Sequence, residues 1–246
     1  MKIPEFGAFI TPQLEALGGD TGVYVKNLAT GETFSRGEDV PVVAASVIKI
    51  PVMIEAFRAQ AAGELRLDEL HALADAERMP SCGTLKAMHT GIEMTLLDLV
   101  KLMIIVSDNT ATNILIRRLG IDRVNATLRR LLFDGDAARR GLENTITARE
   151  MGMLLEKLFR GEIVSKEASA AMMDILLDQR LNGKLPFFLH ARGIPIAHKT
   201  GEDTGVTHDV GVILAQEPLV VCFVGEHVNV PAYERLMQDA ARVLCE

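Results

Sequence analysis

The feature of this 246-residue chain that most limits its possible folds is the separation of two hydrophobic patterns. Strand-like patterning is confined to the two ends, and helical patterning fills the middle. Near the N-terminus, Ile3 to Leu17 reads as a helix, with Phe6, Phe9, Ile10, Leu14 and Leu17 at helical spacing, and Gly18-Gly19-Asp20 stops it. Gly22 to Leu28 reads as a strand, Ala29-Thr30-Gly31-Glu32 as a turn, and Thr33 to Arg36 as the returning strand. From Ser46 to about Leu65 the pattern is helical, with Pro51 close enough to the start to be tolerated. Thr95 to Val106 and Thr110 to Leu119 read as two helices meeting at Ser107-Asp108-Asn109, the second closed by Gly120. Ala148 to Phe159 and Lys166 to Leu177 continue the helical block. Ile194 to Thr200, Val210 to Leu214 and Leu219 to Val224 then read as strands, the last two joined at Gln216-Glu217-Pro218. Pro231 opens a final helix through Leu244.

The economical arrangement is an α/β fold of the α+β type, a single domain over residues 1–246. The N-terminal hairpin and the C-terminal strands join in one antiparallel sheet, flanked on a face by the first and last helices. Residues 1–45 and 191–246 form that α/β lobe, and residues 46–190 an inserted all-helical lobe. The cleft between lobes is the expected place for a site.

Composition narrows the function. The 26 Lys+Arg against 33 Asp+Glu give a net charge of −7, which argues against a nucleic-acid partner. Cys82, Cys222 and Cys245 are too widely spaced for a zinc site and read as three reduced thiols. No apolar run approaches the ~20 residues that span a membrane. The start, Met1-Lys2-Ile3-Pro4-Glu5-Phe6-Gly7, lacks the features of a signal peptide. As written the chain reads as a soluble cytoplasmic monomer, or as the mature form of an exported protein.

Three short elements carry chemistry. Ser46 and Lys49, three apart, share one face of a helix. A serine hydroxyl needs a neighbour to take its proton, and a lysine can do so if burial or another cation lowers its pKa from ~10.4. Backbone N–H groups at a helix start can stabilise an oxyanion. Alone, the pair reads as a helix cap beside a solvated lysine, since S-x-x-K carries little information. Ser107-Asp108-Asn109 offers a hydroxyl for proton relay and a carboxamide that donates and accepts, with Asp108 a cap for the following helix. Alone, it reads as an ordinary helix–helix turn. Lys199-Thr200-Gly201, at the end of a strand, supplies charge, a hydroxyl and room for a substrate backbone. Alone, it is an edge lysine before a turn.

The combination separates these readings. With 6 Ser, 9 Lys, 14 Asp, 7 Asn, 15 Thr and 20 Gly, chance supplies few such triplets. A shuffled chain carries about 0.2 S-x-x-K, about 0.01 S-D-N and about 0.05 K-T-G, so all three coincide roughly once in ten thousand chains.

The set resembles the signature of the penicillin-recognising serine enzymes, nearest to the class A β-lactamases. The likeness spans nearly the whole chain, with the stretches Leu97 to Asn113 and Ala197 to Ile213 most similar. It implies a β-lactamase/transpeptidase-like fold, a small-molecule substrate and no metal or organic cofactor. It also implies roles: Ser46 as the acylated nucleophile, Lys49 as its base, and Ser107 as proton donor to the leaving nitrogen. Asn109 would hold the substrate amide, Lys199 and Thr200 its carboxylate. The N–H groups of Ser46 and of Glu202, the residue after Gly201, would form the oxyanion hole. The implied activity is β-lactam hydrolysis through an acyl-enzyme. The alternatives are a D-alanyl peptidase or esterase that deacylates slowly, and a covalent β-lactam-binding domain without turnover.

The chain departs from the family between residues 132 and 144, where the loop is short and the E-x-x-L-N pattern of the deacylating glutamate is absent. Glu143 is the candidate base there, with a first-turn helix acid as the plainer reading; Asp134 and Asp136 are weaker candidates. Cys82 is expected near the cleft mouth as a spectator thiol. His198 is expected on the strand face opposite Lys199.

Overall fold

The computed structural model describes residues 1–132 and 145–246. Helix α1 (Ile3–Leu17) buries Ile3, Phe6, Ile10 and Leu14 along one stripe, and the β1 (Asp20–Asn27) and β2 (Thr33–Arg36) hairpin follows. The C-terminal strands are β7 (Ile196–Asp203), β8 (Val206–Ile213) and β9 (Leu219–Glu226), and helix α8 (Val230–Leu244) ends the chain. These strands form one antiparallel sheet in the order β2-β1-β9-β8-β7. The two termini thus meet in the sheet centre, where Val23 lies opposite Phe223, and β7 is left as an edge.

Each sheet face has its own core. On one face α1 and α8 pack Phe6, Ile10, Tyr233 and Met237 against Val23, Val221 and Phe223. The buried Tyr233 hydroxyl donates to the Val224 carbonyl at 2.9 Å, so this large side chain leaves no unsatisfied polar atom. On the other face lie α2 (Lys49–Ala61), α3 (Leu96–Ile105), α4 (Asn109–Leu119), α5 (Ile121–Leu132), α6 (Ala148–Phe159) and α7 (Lys166–Leu177).

Helix α2 is the axis of that second core. Every residue from Lys49 to Phe57 is buried, the mark of a helix enclosed on all sides. Even Glu55 is enclosed, held by Arg58 Nε at 2.7 Å and the Thr127 hydroxyl at 2.6 Å. A helix this deep gives Lys49 at its first position, and the turn of Ser46 just before it, a rigid footing.

Two expectations need correction, and some elements went unforeseen. The segment from Ser46 does not begin as an α-helix: Ala45–Ile48 form a 3₁₀ turn, Ala45 has a φ of +44°, and the α-helix starts at Lys49 and stops at Ala61. Lys199-Thr200-Gly201 does not end its strand, because pairing with Val206 and Thr207 carries β7 on to Asp203. Helix α5 and the small pairs β3 (Val42–Val43) with β6 (Thr145–Ile146), and β4 (Leu70–Ala72) with β5 (Glu93–Thr95), were not anticipated.

Candidate active site

The three motifs meet. Lys49 Nζ lies 2.9 Å from Ser46 Oγ, 2.9 Å from both Oγ and the carbonyl of Ser107, and 2.6 Å from Asn109 Oδ1. An ammonium has three protons for these four acceptors, so the contacts cannot all be donations at once. In the neutral amine one contact reverses, and the Ser46 hydroxyl can donate to the free lone pair. Lys199 Nζ donates to Ser107 Oγ at 3.1 Å and to the Thr200 carbonyl at 2.8 Å. Two lysines therefore occupy the acceptor sites of the Ser107 oxygen and leave its own proton to be given elsewhere.

Both lysines are buried, at 2% and 0% exposure. Burial lowers the Lys49 ammonium to about 8, with Cys82 and Asp108 opposing. Burial, and then repulsion from Lys49, lowers Lys199 to about 7, with Asp209 opposing. At neutral pH the pair holds its protons loosely, as an amine that must serve as a base requires.

Backbone geometry fixes the groups. The 3₁₀ turn stacks against β7: a Cβ added at Gly201 would lie 2.8 Å from His208 Cδ2, 3.2 Å from Val47 Cγ2 and 3.4 Å from the Ala44 carbonyl. Gly201 is thus small to admit both the His208 ring and the Ser46 turn. His208 ties down the strand that leads into the turn. Its Nδ1 accepts from the Gly225 N–H at 3.0 Å, so Nε2 carries the proton and donates to the Val43 carbonyl at 2.7 Å. Burial lowers this imidazole to about 4 and keeps it neutral.

Ser107 occupies the left-handed region, φ +54°, between α3 and α4, a conformation held only by surrounding bonds. Asp108 supplies them. Its fully buried carboxylate caps α4 by accepting from Ala111 N at 2.9 Å, as expected from sequence, and also accepts from Thr84 N and Leu85 N at 2.6 and 2.8 Å. The loop of Ser81 to Leu85 is thereby lashed to the Ser107 turn. Asn109 N–H donates to the Cys82 carbonyl at 3.0 Å, and Asn109 Nδ2 donates to Ser81 Oγ at 2.7 Å. Gly83, with φ +120°, passes so close that a Cβ there would sit 2.3 Å from Asp108 Cγ.

Thr200 enters the cluster through its carbonyl. Cys82 is an exposed free thiol at this loop, its S–H directed to the Val106 carbonyl at 3.7 Å. His198 is directed away from the cluster, bonded to Asp209 Oδ1 at 2.8 Å and Asn182 Oδ1 at 3.2 Å. Glu143, Asp134 and Asp136 lie outside the described residues. Among the described residues no cluster of metal-ligating side chains occurs, and no helix is long and apolar enough to cross a membrane. A cavity of about 820 Å³ lies elsewhere, among Phe57, Leu67, Leu97 and Ile175; concavity alone does not locate the chemistry. Sequence reasoning missed Ser81 and Gly83. A glycine inside a polar loop was the available signal for Gly83; nothing local marks Ser81.

Comparison with known proteins agrees with this architecture. The model of the β-lactamase enzyme family matches residues 6–246. A β-lactamase from Sphaerobacter thermophilus is similar in structure, with a TM-score of 0.89, 34% identity, and coverage of 99% of this chain and 97% of that one. PBP-A is similar at a TM-score of 0.85 and 28% identity, over 98% of this chain and 95% of its own. A variant of it, solved as an acyl-enzyme complex with penicillin G, matches at 0.84 and 28% over the same shares. A β-lactamase of Rhodobacter capsulatus is 26% identical over 189 residues, 70% of this chain and 62% of that protein, so the match spans less than two thirds of its length. With the family model matched from residue 6 to the last residue, this chain belongs to the β-lactamase enzyme family.

Proposed function

We propose that the chain is a serine hydrolase that opens β-lactam amides through an acyl-enzyme on Ser46. The observation that carries this reading is the buried Lys49 amine, 2.9 Å from both the Ser46 and Ser107 hydroxyl oxygens. Neutral Lys49 takes the Ser46 proton as Oγ bonds to the substrate carbonyl carbon. The oxyanion is received by the N–H groups of Ser46 and Glu202. When the C–N bond breaks, Ser107 gives its proton to the nitrogen, and Lys49, protonated in the first step, restores it. Lys199 holds Ser107 in place and, with Thr200 and Gly201, borders the position of the substrate carboxylate. Asn109 gives its oxygen to Lys49 and one amide proton to Ser81 Oγ, and its second amide proton is the donor for a substrate amide carbonyl. Water then cleaves the ester, and Glu143 is the candidate for its base.

A second reading, a D-alanyl peptidase or esterase with slow deacylation, is favoured by the absent E-x-x-L-N pattern and the likeness to PBP-A. Steady-state assay of a chromogenic cephalosporin, a D-alanyl peptide and a simple ester separates the two. Sustained cephalosporin cleavage lost in Ser46→Ala supports the first reading. A stable penicillin adduct with turnover only of peptide or ester supports the second.

A further inference from the structure

Lys184 lies in the segment between α7 and β7 with 3% of its surface exposed. Its Nζ donates to two backbone carbonyls, Gly201 and His208, at 3.2 Å each. Glu202 Oε1 at 3.1 Å and Glu234 Oε1 at 3.4 Å complete its surroundings. A buried ammonium is costly unless it is well paired, and here the pairing lies directly behind the strand that borders the Ser46 turn.

The direction of the two carbonyls follows from that contact. Gly201 and His208 are direct partners in the β7–β8 register. In such a pair the two C=O groups either both point into the gap between strands or both point away from it. One nitrogen can touch both only in the first case. The peptides are trans, so the N–H of Glu202, which shares a peptide group with the Gly201 carbonyl, points the opposite way. That is the free edge of β7, the last strand of the sheet; the Ser46 turn approaches the same stretch of β7 over the sheet face, where Val47 and the Ala44 carbonyl lie against Gly201.

We propose that Lys184 is a positioning residue for the oxyanion hole: its ammonium polarises the Gly201–Glu202 peptide and strengthens the Glu202 N–H as a donor. The inference rests on the acyl-serine reading above. A cation on the oxygen of an amide draws charge through the C–N bond and leaves the N–H more positive, as in any chain of polarised hydrogen bonds. The same contact holds the peptide plane, so the donor does not reorient as charge develops on the substrate. Two carboxylates on one ammonium neutralise it toward the solvent. Lys184 therefore acts through the peptide rather than by attracting a substrate anion.

The test compares wild type with Lys184→Met and Lys184→Arg by stopped-flow acylation with a chromogenic cephalosporin. The limiting acylation rate and the apparent binding constant are resolved separately, and the ester carbonyl of the adduct is read by difference infrared spectroscopy. Loss of a whole oxyanion donor lowers rates by about 10² to 10³, so a weakened one lowers them less. Lys184→Met is expected to acylate about tenfold more slowly, with binding within about twofold, and its ester carbonyl to absorb at higher frequency. Lys184→Arg, which keeps the charge, is expected to recover most of the rate. Should Lys184→Met fail to fold, Lys184→Gln, which keeps a donor without the charge, gives the same comparison. A wild-type rate in the neutral variant overturns the inference, as does an equal loss in Lys184→Arg. So does weakened binding at an unchanged limiting rate, which would make Lys184 a substrate anchor. A wild-type chain that neither forms a Ser46 adduct nor consumes the cephalosporin overturns the acyl-serine reading itself, and this inference with it. A wild-type adduct beside an unaffected Lys184→Met overturns this inference alone.

Discussion

Lys199 Nζ lies 3.1 Å from the hydroxyl oxygen of Ser107, a residue 92 positions earlier in the chain. The contact joins the edge strand of the sheet to the α3–α4 turn, and Lys49 reaches the same oxygen from the base of α2. One serine thus ties the three motifs together. Because both its neighbours are cations with lowered pKa values, the site is sensitive to pH, to loss of either charge and to small shifts of its loop.

The two lysines lose protons near about 7 and about 8, against an ordinary value of 10.5. As a coupled pair they carry two protons below this window, one within it and none above. The working state is the singly protonated pair with its charge on Lys199 and Lys49 free to accept the Ser46 proton; the values favour the proton on Lys49, but the ratio of the two singly protonated forms does not change with pH, so the rate follows their total. The acylation rate is therefore expected to be bell-shaped, with its maximum between pH 7 and 8 and a fall on both sides. A rate profile at saturating substrate checks this; a plateau from pH 5 to 10 would contradict it.

Lys199→Met is expected to trade activity for stability. At pH 6 the native lysine is a desolvated ammonium that its buried site disfavours, and an apolar side chain of similar volume removes that cost. Above its lowered pKa, native Lys199 is neutral while the unfolded lysine still holds its proton up to about 10.5, so wild-type stability rises with pH in this range. The variant's advantage in urea unfolding is thus largest at pH 6 and shrinks by pH 9. Its acylation rate falls at both.

Gly83→Ala should damage both fold and site. The substitution combines a φ of +120° with a Cβ 2.3 Å from Asp108 Cγ, and such positions cost about 1–3 kcal/mol or more. Asp108 would have to move, releasing the Thr84 and Leu85 N–H groups and the Ser107 turn. Urea unfolding is expected to show a loss of at least about 2 kcal/mol, accompanied by slower acylation.

Glu143→Gln tests the deacylating base. A positioned general base contributes about 10² to 10⁴ in rate. If Glu143 fills that role, the variant is acylated as fast as wild type, and its adduct decays at least about a hundredfold more slowly. Equal decay rates would move the role to another residue.

How much was legible depended on how local the determinants are. Helices α1, α6 and α7 start and stop where the sequence indicated, because their ends are set by neighbouring caps and glycines such as Thr147, Ser165 and Gly18. The N-terminal end of α2 was misjudged because Ala45 is held in a left-handed conformation where the turn packs on β7, a tertiary demand. Strand β7 runs past Gly201 because its partner β8 begins at Val206, which the pattern around Asp203 does not reveal. The site was legible as three motifs because their chemistry is spelled in side chains. Lys184 was not, since it acts on carbonyls 17 and 24 residues away, and carbonyls leave no mark in a sequence. Ser81 was hidden for a similar reason: its partner Asn109 is 28 residues distant.

The most direct test of the account is an intact-mass time course of the wild-type protein and Ser46→Ala with penicillin G. Wild type is expected to gain the mass of one penicillin, mapped by peptide digestion to Ser46, while Ser46→Ala gains none. A wild-type protein that stays unmodified and leaves the penicillin intact, or an adduct that persists in Ser46→Ala, would contradict it.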